Sequence, residues 1–408
     1  MRSEAASPDV AAVTSPGSAG EVFRVFLKLG LTSFGGPIAH LGYFRDELVV
    51  RRKWISEEGY ADLVALCQFL PGPASSQVGF SLGLLRGGPL GALAAWTAFT
   101  LPSALLLILF AYGASWFEGE VGAGILHGLK LVAVAVVAQA VWGMAKTLTP
   151  DRERAGIALV AVLLVIFVGG SIGQVAAIIV GGLLGLWLCR GLPPNPIGHL
   201  TFGVSKTIGW SALALFFILL IGLPLIEALA SSQSLSLFDA FYRAGALVFG
   251  GGHVVLPLLE TEVVQTGWVS SDAFLAGYGA AQAVPGPLFT FAAYLGAVMQ
   301  PAPAGPVGAT IALVAVFLPG LLLVVGALPF WDAFRTKPIA QAAMRGANAA
   351  VVGVLGAALY TPVWTSAVLT PADFALALAG FLLLTVWKTA PWIVVVGLGI
   401  GGALLTLI

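Results

Sequence analysis

Two proline-glycine-proline motifs stand at matching places in the chain, at Pro71-Gly72-Pro73 and Pro285-Gly286-Pro287. Proline removes a backbone donor and glycine destabilises a helix, so each motif should end one helix and let a second begin. The start of the second helix offers unpaired N–H groups and the positive end of the helix dipole, which attract anions. Hydroxyl donors follow at Ser75, Ser76 and Thr290. The motifs predict an oxyanion site, although a re-entrant turn needed only for packing would use the same residues.

A Phe-Gly-Gly sequence precedes each of these motifs, at Phe34-Gly35-Gly36 and Phe249-Gly250-Gly251. Glycine pairs permit unusual backbone angles and could form a nest of N–H groups around an anion, or could let two helices pack closely. Gln68 and Gln282 lie three residues before the two Pro-Gly-Pro motifs, where each could donate to a ligand or cap the broken helix. All these residues are therefore candidates for one site.

Charged residues inside apolar stretches are rare in membrane proteins and usually functional. Lys28, Arg243 and Arg345 are such bases, and an oxyanion needs the positive potential and planar donors that arginine supplies. Lys28 and Arg243 lie near predicted helix ends, so they could instead extend toward the membrane interface. Asp62 is a candidate for coupling transport to protons, or the partner of a nearby base.

Composition indicates which elements must position these residues. The chain is 59% hydrophobic and 9% charged, with a mean hydropathy of +0.98, whereas a soluble domain carries about 25% charged residues. Apolar runs of about 20 residues recur along its length, as in membrane-spanning helices. Backbone groups in lipid must bond to one another, which favours helices. We therefore predict an all-α polytopic integral membrane protein in a lipid bilayer, and the zero net charge gives no support for a nucleic-acid partner.

The chain also contains an internal repeat. The matches keep their order and pair Lys28 with Arg243, Trp54 with Trp268, Ser56 with Ser270, Gln68 with Gln282, and His127-Gly128 with Arg345-Gly346. They divide the chain into a disordered cytoplasmic tail (1–20), an N-terminal transporter repeat (21–190), a linker with an extra transmembrane helix (191–235) and a C-terminal repeat (236–408). Each repeat should contain an amphipathic segment with the Phe-Gly-Gly break, a helix–Pro-Gly-Pro–helix unit, two long helices and two shorter ones.

The charges flanking these helices predict how the two halves lie in the membrane. Cytoplasmic loops are rich in Lys and Arg. Arg51, Arg52 and Lys53 crowd one loop of the first half, whereas the matching segment of the second half carries Glu260 and Glu262 and no base. This reversal predicts an inverted-topology repeat with broken or re-entrant helices, a cytoplasmic N-terminus and an external C-terminus. A parallel duplication with uninformative charges is the alternative.

Several classes of site find no support in the sequence. Cys67 and Cys189 lie in apolar stretches and show no metal-ligand spacing with the histidines. His40 and His253 do not align between the halves, and we interpret each as a surface or satisfied histidine. No nucleotide-binding or hydrolase motif is present, so we expect no metal, no cofactor and no enzyme activity. An intramembrane enzyme acting on a lipid phosphate would have only Asp62 to rely on.

The run Phe-Leu-Lys-Leu-Gly-Leu-Thr-Ser-Phe-Gly-Gly-Pro (26–37), with Trp54-Ile55-Ser56 and Gln68-Phe69-Leu70-Pro71-Gly72-Pro73, resembles the chromate ion transporter family. The second copy, around 249–253 and 282–287, is similar to the C-terminal domain of its two-domain members. The resemblance implies export of chromate across the bacterial inner membrane, with chromate resistance and with sulfate as a related anion. Small-residue faces such as Gly181-Gly182 and Gly401-Gly402 would suit a homodimer.

These observations predict a secondary transporter that exports chromate around a midplane site, driven by sulfate exchange, protons or membrane potential. A channel or uniporter for another small oxyanion, such as sulfate, is the alternative. Asp62 is the coupling candidate. The predicted substrate-binding residues are Lys28, Gly35, Gly36, Gln68, Pro71, Gly72, Pro73, Ser75, Ser76, Arg243, Gly250, Gly251, Gln282, Pro285, Gly286, Pro287, Thr290 and Arg345.

Overall fold

A computed structural model describes residues 17–113, 119–190, 203–229, 232–249, 251–301, 303–334 and 337–406, which contain helices and no strands. The predicted tail (1–20) lies mostly outside these residues. The first helix begins at Ala19, and the Ser18 hydroxyl caps it by accepting the Glu21 N–H at 3.1 Å. The chain is therefore helical from a point two residues before the predicted repeat boundary.

Seven α-helices are described in the first half, within residues 17–113 and 119–190. They are α1 (Ala19–Thr32), α2 (Gly36–Phe44), α3 (Glu57–Phe69), α4 (Ala74–Gly113), α5 (Glu120–Leu148), α6 (Arg152–Val168) and α7 (Gly170–Leu188). A π-helix, Arg45–Arg51, continues α2. α4 is interrupted at Gly87 and Gly88, whose backbone angles are not helical (φ of Gly88 is +64°), so it consists of two helical segments, as predicted on either side of this point.

The second half repeats this order after the linker helix α8 (Lys206–Glu227). One turn of 3-10 helix precedes α10, at Gly252–Val254, and another precedes α12, at Leu288–Thr290. The helices are α9 (Gln233–Ala246), α10 (Val255–Val263), α11 (Ser271–Ala281), α12 (Phe291–Val298), α13 (Gly305–Ala327), the short α14 (Trp331–Phe334), α15 (Pro338–Ala358), the short α16 (Thr365–Ala367), α17 (Pro371–Thr385) and α18 (Pro391–Leu405).

The repeated sequence matches have local structural causes. The Ser56 hydroxyl accepts the Gly59 N–H and begins α3, and the Ser270 hydroxyl accepts the Ala273 N–H and begins α11. Both bonds measure 3.1–3.2 Å. A serine at this position satisfies an N–H group that the helix itself leaves unpaired. The matched serines therefore start equivalent helices in the two halves.

Length and surface both place the protein in a membrane. Among the described residues, six helices are long and apolar enough to cross a bilayer: 74–113, 120–148, 170–188, 206–227, 305–330 and 338–367. The outer surface is itself apolar, and Phe167, Ile172 and Trp187 are at least 75% exposed. A surface of large apolar side chains is suited to lipid. The protein is a multi-pass membrane protein, as composition predicted.

The equivalent helices α4 and α13 run in opposite directions. α13 begins where α4 ends, since a Cβ atom on Gly305 would lie 2.8 Å from the Tyr112 hydroxyl. The end of α13 packs into the cluster that holds Trp54, and the Arg86 guanidinium, just before the α4 kink, lies 5.4 Å from the centre of that same ring. The start of α13 lies beside the end of α4, and the end of α13 lies near Arg86 of α4, so the two helices are antiparallel.

Helices α5 and α15 show the same inversion. His127 Nε2 lies 2.7 Å from Asp373 Oδ1 near the starts of α5 and α17, and the Gln139 amide donates to the Leu384 carbonyl at 3.4 Å near the end of α17. α17 thus runs parallel to α5. In the same way α15 of the second half packs on α6 of the first half, the counterpart of α17, where Gly353 approaches the Ala158 carbonyl. The two halves form an inverted repeat.

The halves also exchange their last helices. α18 packs on α5 of the first half, where Gly128 approaches the Leu398 carbonyl, and α7 packs on α15 of the second half, where Gly346 approaches the Gly181 carbonyl. Gly181 and Gly402 therefore serve contacts within the chain. Small residues let these backbones approach closely, and each half is completed by helices from the other.

Candidate functional site

Each Pro-Gly-Pro turn is bonded to the Phe-Gly-Gly break of the opposite half. The Gly72 N–H donates to the Val248 carbonyl at 2.7 Å, and the Gly286 N–H donates to the Ser33 carbonyl at 2.8 Å. Ser33 and Val248 are equivalent residues, one before each Phe-Gly-Gly sequence. The four breaks therefore converge on the pseudo-two-fold axis that relates the halves.

Glycine is required at both turns. Gly286 has a φ of +83°, and a Cβ atom there would lie 2.8 Å from the Ser103 Oγ and 2.9 Å from the Phe99 carbonyl oxygen. Gly72 has a φ of +120° and would bring a Cβ atom to 3.0 Å from the Gly320 Cα. Left-handed angles favour glycine, and neither neighbour leaves room for a methyl group. Close backbone contact thus fixes the turns between halves.

A crevice opens beside these turns and encloses about 480 Å³ counted to its mouth. We call it the interhalf crevice. Both halves contribute to it, because its walls come from the first Phe-Gly-Gly break, the second Pro-Gly-Pro turn and helix α5. Its lining residues are Gly35, Gly36, Pro37, Val136, Gln139, His253, Ala281, Gln282, Val284, Gly286, Leu288 and Pro391.

Helix starts dominate the wall of the interhalf crevice. α2 begins at Gly36, the 3-10 turn before α10 begins at Gly252, the turn before α12 begins at Leu288, and α18 begins at Pro391. The first N–H groups of a helix lack intrahelical partners and carry the positive end of its dipole. No Asp or Glu is among the lining residues. The potential in the crevice therefore favours an anion.

Three polar side chains complete the lining: those of Gln139, His253 and Gln282. His253 Nδ1 lies 2.7 Å from the Tyr278 hydroxyl, which fixes the orientation of the imidazole ring. His253 is a candidate site residue that sequence reasoning set aside. Nδ1 is satisfied, as interpreted, but the ring also lines the crevice. Its position directly after the second glycine run was the signal that could have identified it.

Comparison with known proteins identifies the family of this chain. A family profile described as Chromate transporter matches residues 20–186 and again residues 235–403. The chain belongs to the chromate transporter family.

Three relatives of this transporter align over most of its length. A chromate transport protein of Pseudomonas aeruginosa is 31% identical, with 98% of this chain and 95% of the relative covered. A probable chromate transport protein of Synechococcus elongatus is 30% identical, with 83% of each chain covered. A chromate transport protein of Cupriavidus metallidurans is 26% identical, with 94% and 92% covered. No solved structure matches.

Several predicted ligands of the transporter lie outside the crevice lining. Thr290 donates its hydroxyl to the Pro287 carbonyl at 2.8 Å, which tightens the turn. Ser75 Oγ lies 3.4 Å from His40 Nδ1 in the core, and Ser76 is 2% exposed. Gln68 is exposed at the end of α3. The crevice contains Gly35, Gly36, Gln282 and Gly286 of the predicted set, and Gly250 lies outside the described residues.

The predicted bases also lie away from the crevice. Lys28 Nζ is 3.3 Å from Glu47 Oε2, and its side chain is 55% exposed. Arg243 pairs with Asp239 and Glu262. Arg345 donates to the Cys189 carbonyl at 3.4 Å, where α15 packs on α7. Sequence spacing placed these cations in apolar stretches, and each has found a partner there.

The coupling candidate Asp62 is buried and 2% exposed. Its Oδ1 accepts the Trp331 indole N–H at 3.0 Å, and this bond joins α3 to α14 of the other half. The indole N–H is a hydrogen-bond donor on a rigid ring, so it holds the Asp62 carboxyl in one orientation. This geometry gives Asp62 a role in joining the two halves, at a distance from the crevice lining.

Proposed function

We propose that this transporter exports chromate across the bacterial inner membrane by secondary transport, with the interhalf crevice as its substrate site. The observation that supports this most strongly is the set of helix starts that two inverted halves direct at one crevice without an acidic residue. Family membership supports chromate as the substrate. Resistance to chromate would follow from its export.

Chromate is a tetrahedral dianion, so it needs donors from several directions. Helix starts at Gly36, Leu288 and Pro391 offer positive potential from separate walls, and His253, Gln139 and Gln282 offer side-chain N–H groups. Hydrogen bonds to a charged group are worth about 1.5–3 kcal/mol each. A site of neutral donors also releases its ligand readily, since no fixed cation holds the dianion. Transport requires both binding and release.

The inverted repeat supplies a physical basis for alternating access. Gly72 and Gly286 make equivalent bonds between the halves, so rocking one half against the other can exchange their environments without new contacts. Inverted repeats commonly open alternately to the two membrane faces in this way. The crevice lies on the second Pro-Gly-Pro turn, and in the opposite state its counterpart would lie on the first. We assign the interhalf crevice to one of these two states.

The charge distribution supports a cytoplasmic N-terminus and an external C-terminus. Arg51, Arg52, Arg86 and Arg154 lie at the end of the molecule where α4 bends and α5 finishes. Positively charged ends face the cytoplasm. A topology reporter inserted at residues 263–267 should give an external signal, and a cytoplasmic signal would contradict this orientation.

A carrier or channel for sulfate is the second candidate. Its support is the neutral lining, because Gln139, His253 and Gln282 donate equally to any tetrahedral dianion. Saturation separates a carrier from a channel, since a carrier is limited by its conformational change. Sulfate that competes with chromate at low concentration would identify a shared site.

Radiolabelled chromate uptake into inside-out membrane vesicles tests the proposal. Energised, saturable uptake that exceeds uptake by vesicles lacking the protein is expected. Excess sulfate should reduce it if the two anions share the crevice. Uptake equal to that of the empty vesicles would reject chromate as the substrate.

A further inference from the structure

The two halves contain equivalent ion pairs beside their Phe-Gly-Gly breaks. Lys28 Nζ lies 3.3 Å from Glu47 Oε2, and we call this the N-half pair. Arg243 Nη2 lies 3.0 Å from Glu262 Oε2, and we call this the C-half pair. Each pair joins residues 19 positions apart and closes the chain segment that contains a glycine break. The two pairs are therefore the same contact, duplicated.

The charged residues around the two pairs have opposite signs. In the N-half pair, Glu47 also accepts from Arg51 at 3.1 Å and from Arg52 at 3.0 Å. Burial alone would raise the pKa of Glu47, but hydrogen bonds from Arg52, Arg51 and Lys28 outweigh it and hold that pKa below its ordinary value. One carboxylate with three bases stays ionised at neutral pH.

In the C-half pair, one arginine serves two carboxylates. Arg243 Nε also donates to Asp239 Oδ2 at 2.9 Å. Asp239 is 1% exposed, and its Oδ1 has no hydrogen-bond partner among the described residues. Burial raises the pKa of both Asp239 and Glu262, with Arg243 opposing the shift. An unpaired carboxylate oxygen this deeply buried is costly unless it binds a proton.

The neighbouring helices add negative charge to this cluster, and the one base on α8, Lys206, lies at the opposite end of that helix from Glu227. Glu227 at the end of α8 raises the pKa of both acids, and Glu260 lies on α10 itself. α13 has no ionisable residue, and α7 presents Ser171 and Gln174. Other charged or titratable groups on adjoining elements have partners elsewhere: Asp272 with Lys130, Arg345 with Gln341, and His253 with Tyr278.

A second cavity, of about 290 Å³ counted to its mouth, gives water access to this cluster. Arg243 and Glu262 line it together with Ser171 and Gln174 of α7. A proton can therefore reach Glu262 from water, and its binding there leaves the charge of Arg243 to Asp239 alone. Such closely coupled acids bind protons as a pair.

We propose that Asp239 and Glu262 form a proton-binding site that couples oxyanion movement to a proton gradient. This inference rests on the transport function proposed above. Arg243 and the two carboxylates carry a net charge of −1, so one proton taken from water brings the cluster to zero, and the same proton is released after the conformational change. No bond other than the O–H bond forms or breaks.

The chain connects this site directly to the interhalf crevice. Arg243 lies in the last turn of α9, five residues before Val248, whose carbonyl accepts the Gly72 N–H. Glu262 lies at the other end of the closed segment, on α10, which directly follows the 3-10 turn that contains His253. Binding a proton weakens one bond of Arg243, so the ion pair holds Val248 and His253 in place less firmly. Proton binding thus changes the wall of the crevice.

Reconstituted proteoliposomes test the proposal with Asp239→Asn and Glu262→Gln, and with Glu47→Gln as the matched control from the N-half pair. Chromate accumulation driven by an imposed pH gradient should fall about tenfold or more in the first two variants and persist in the control. Chromate exchange at equal pH should stay within about twofold of the wild type in all three, since the crevice is unchanged.

Infrared spectroscopy of the same samples reports protonation without transport. The wild type should show a protonated carboxylic acid signal at neutral pH that Asp239→Asn and Glu262→Gln diminish and Glu47→Gln leaves intact. Loss of chromate exchange in the wild type would reject the transport function, while the infrared signal would still decide the proton site. The inference would be overturned if chromate accumulation in the wild type did not depend on the pH gradient. It would also be overturned if the infrared signal were unchanged in both Asp239→Asn and Glu262→Gln.

Discussion

The N-half and C-half pairs occupy equivalent places yet have opposite charge balance. Glu47 is surrounded by Lys28, Arg51 and Arg52, whereas Arg243 is surrounded by Asp239 and Glu262. The contact that closes each glycine break has been kept after duplication, and its neighbours have diverged. The role of the ion pair in closing the glycine break explains why the contact was kept. A difference in the environment of the two pairs explains why their charged neighbours changed.

The inverted repeat supplies that difference. If the N-half pair faces the cytoplasm and the C-half pair faces outward, the rule that places basic residues inside accounts for the bases around Glu47. Only the outward pair is then left with surplus carboxylates. An outward pair that binds a proton takes it from the side on which the proton gradient that drives export supplies it.

The largest expected effect is a loss of folding stability when the cation of the C-half pair is removed. Arg243→Gln leaves Asp239 and Glu262 without their cation, and removing one partner of a buried ion pair costs about 3–5 kcal/mol. Lys28→Gln leaves Glu47 with two arginines and removes an exposed contact worth about 1 kcal/mol or less. Thermal unfolding in detergent measures both. Equal losses would show that the two pairs do not differ as described.

A substitution in the Pro-Gly-Pro turns between the halves should reduce stability nearly as much. Gly286→Ala combines a left-handed angle with contact against Ser103, a cost of about 2–5 kcal/mol in all. Chromate uptake should fall at least about tenfold with it. Gly143→Ala on α5 is the control, because no atom lies within 4 Å of the added Cβ. Normal uptake by Gly286→Ala would contradict the close contact.

His253 distinguishes the two halves within the crevice, since Ile38 occupies the equivalent place in the first half. His253→Ala removes a donor to a charged ligand, worth about 1.5–3 kcal/mol, so the KM for chromate should rise about tenfold to a hundredfold. Tyr278→Phe removes the bond that orients the ring and should have a smaller effect in the same direction. An unchanged KM in His253→Ala would remove His253 from the site.

The pH dependence of stability should have opposite signs in the two halves. Glu47 has a lowered pKa, so its contribution is present at neutral pH and is lost as pH falls through that value. Asp239 and Glu262 have raised pKa values, so they weaken the fold as pH rises toward those values. Glu47→Gln should reduce the loss at acid pH, and Glu262→Gln the loss at higher pH, by about 1.4 kcal/mol per unit of pKa difference. Unfolding temperatures measured across pH decide this, and matching slopes in both variants would contradict it.

The smallest effect is expected at Arg345. Its guanidinium contacts the end of α7 through the Cys189 carbonyl, away from the crevice lining. Arg345→Ala should therefore change the KM for chromate less than about twofold, as for surface substitutions remote from a site. A large increase in KM would return Arg345 to the substrate site.

Sequence reasoning predicted the helices to within a few residues, because apolar length and repeated caps are local signals. Ser56 and Ser270 are examples, since one hydroxyl at a fixed spacing begins each helix. The break predicted between the two segments of α4 is present, because Gly87 and Gly88 both adopt non-helical backbone angles. Inverted topology was predictable because charge bias depends on the sequence of the loops alone.

Partners of charged residues were not predictable in the same way. Lys28 and Arg243 carry the same signal in the sequence whether they bind a ligand or a carboxylate 19 residues away. The crossed bonds of Gly72 to Val248 and Gly286 to Ser33 depend on how the halves pack. No pattern along the chain records such contacts, so the crevice emerges only in three dimensions.

The position of bound chromate tests the central claim most directly. Chromium scatters anomalously, so crystals soaked in chromate would show where the anion binds. We predict one strong peak in the interhalf crevice, between Gly36, His253, Gln282 and Leu288. Peaks confined to other sites, such as the cavity beside Arg243, would contradict the account.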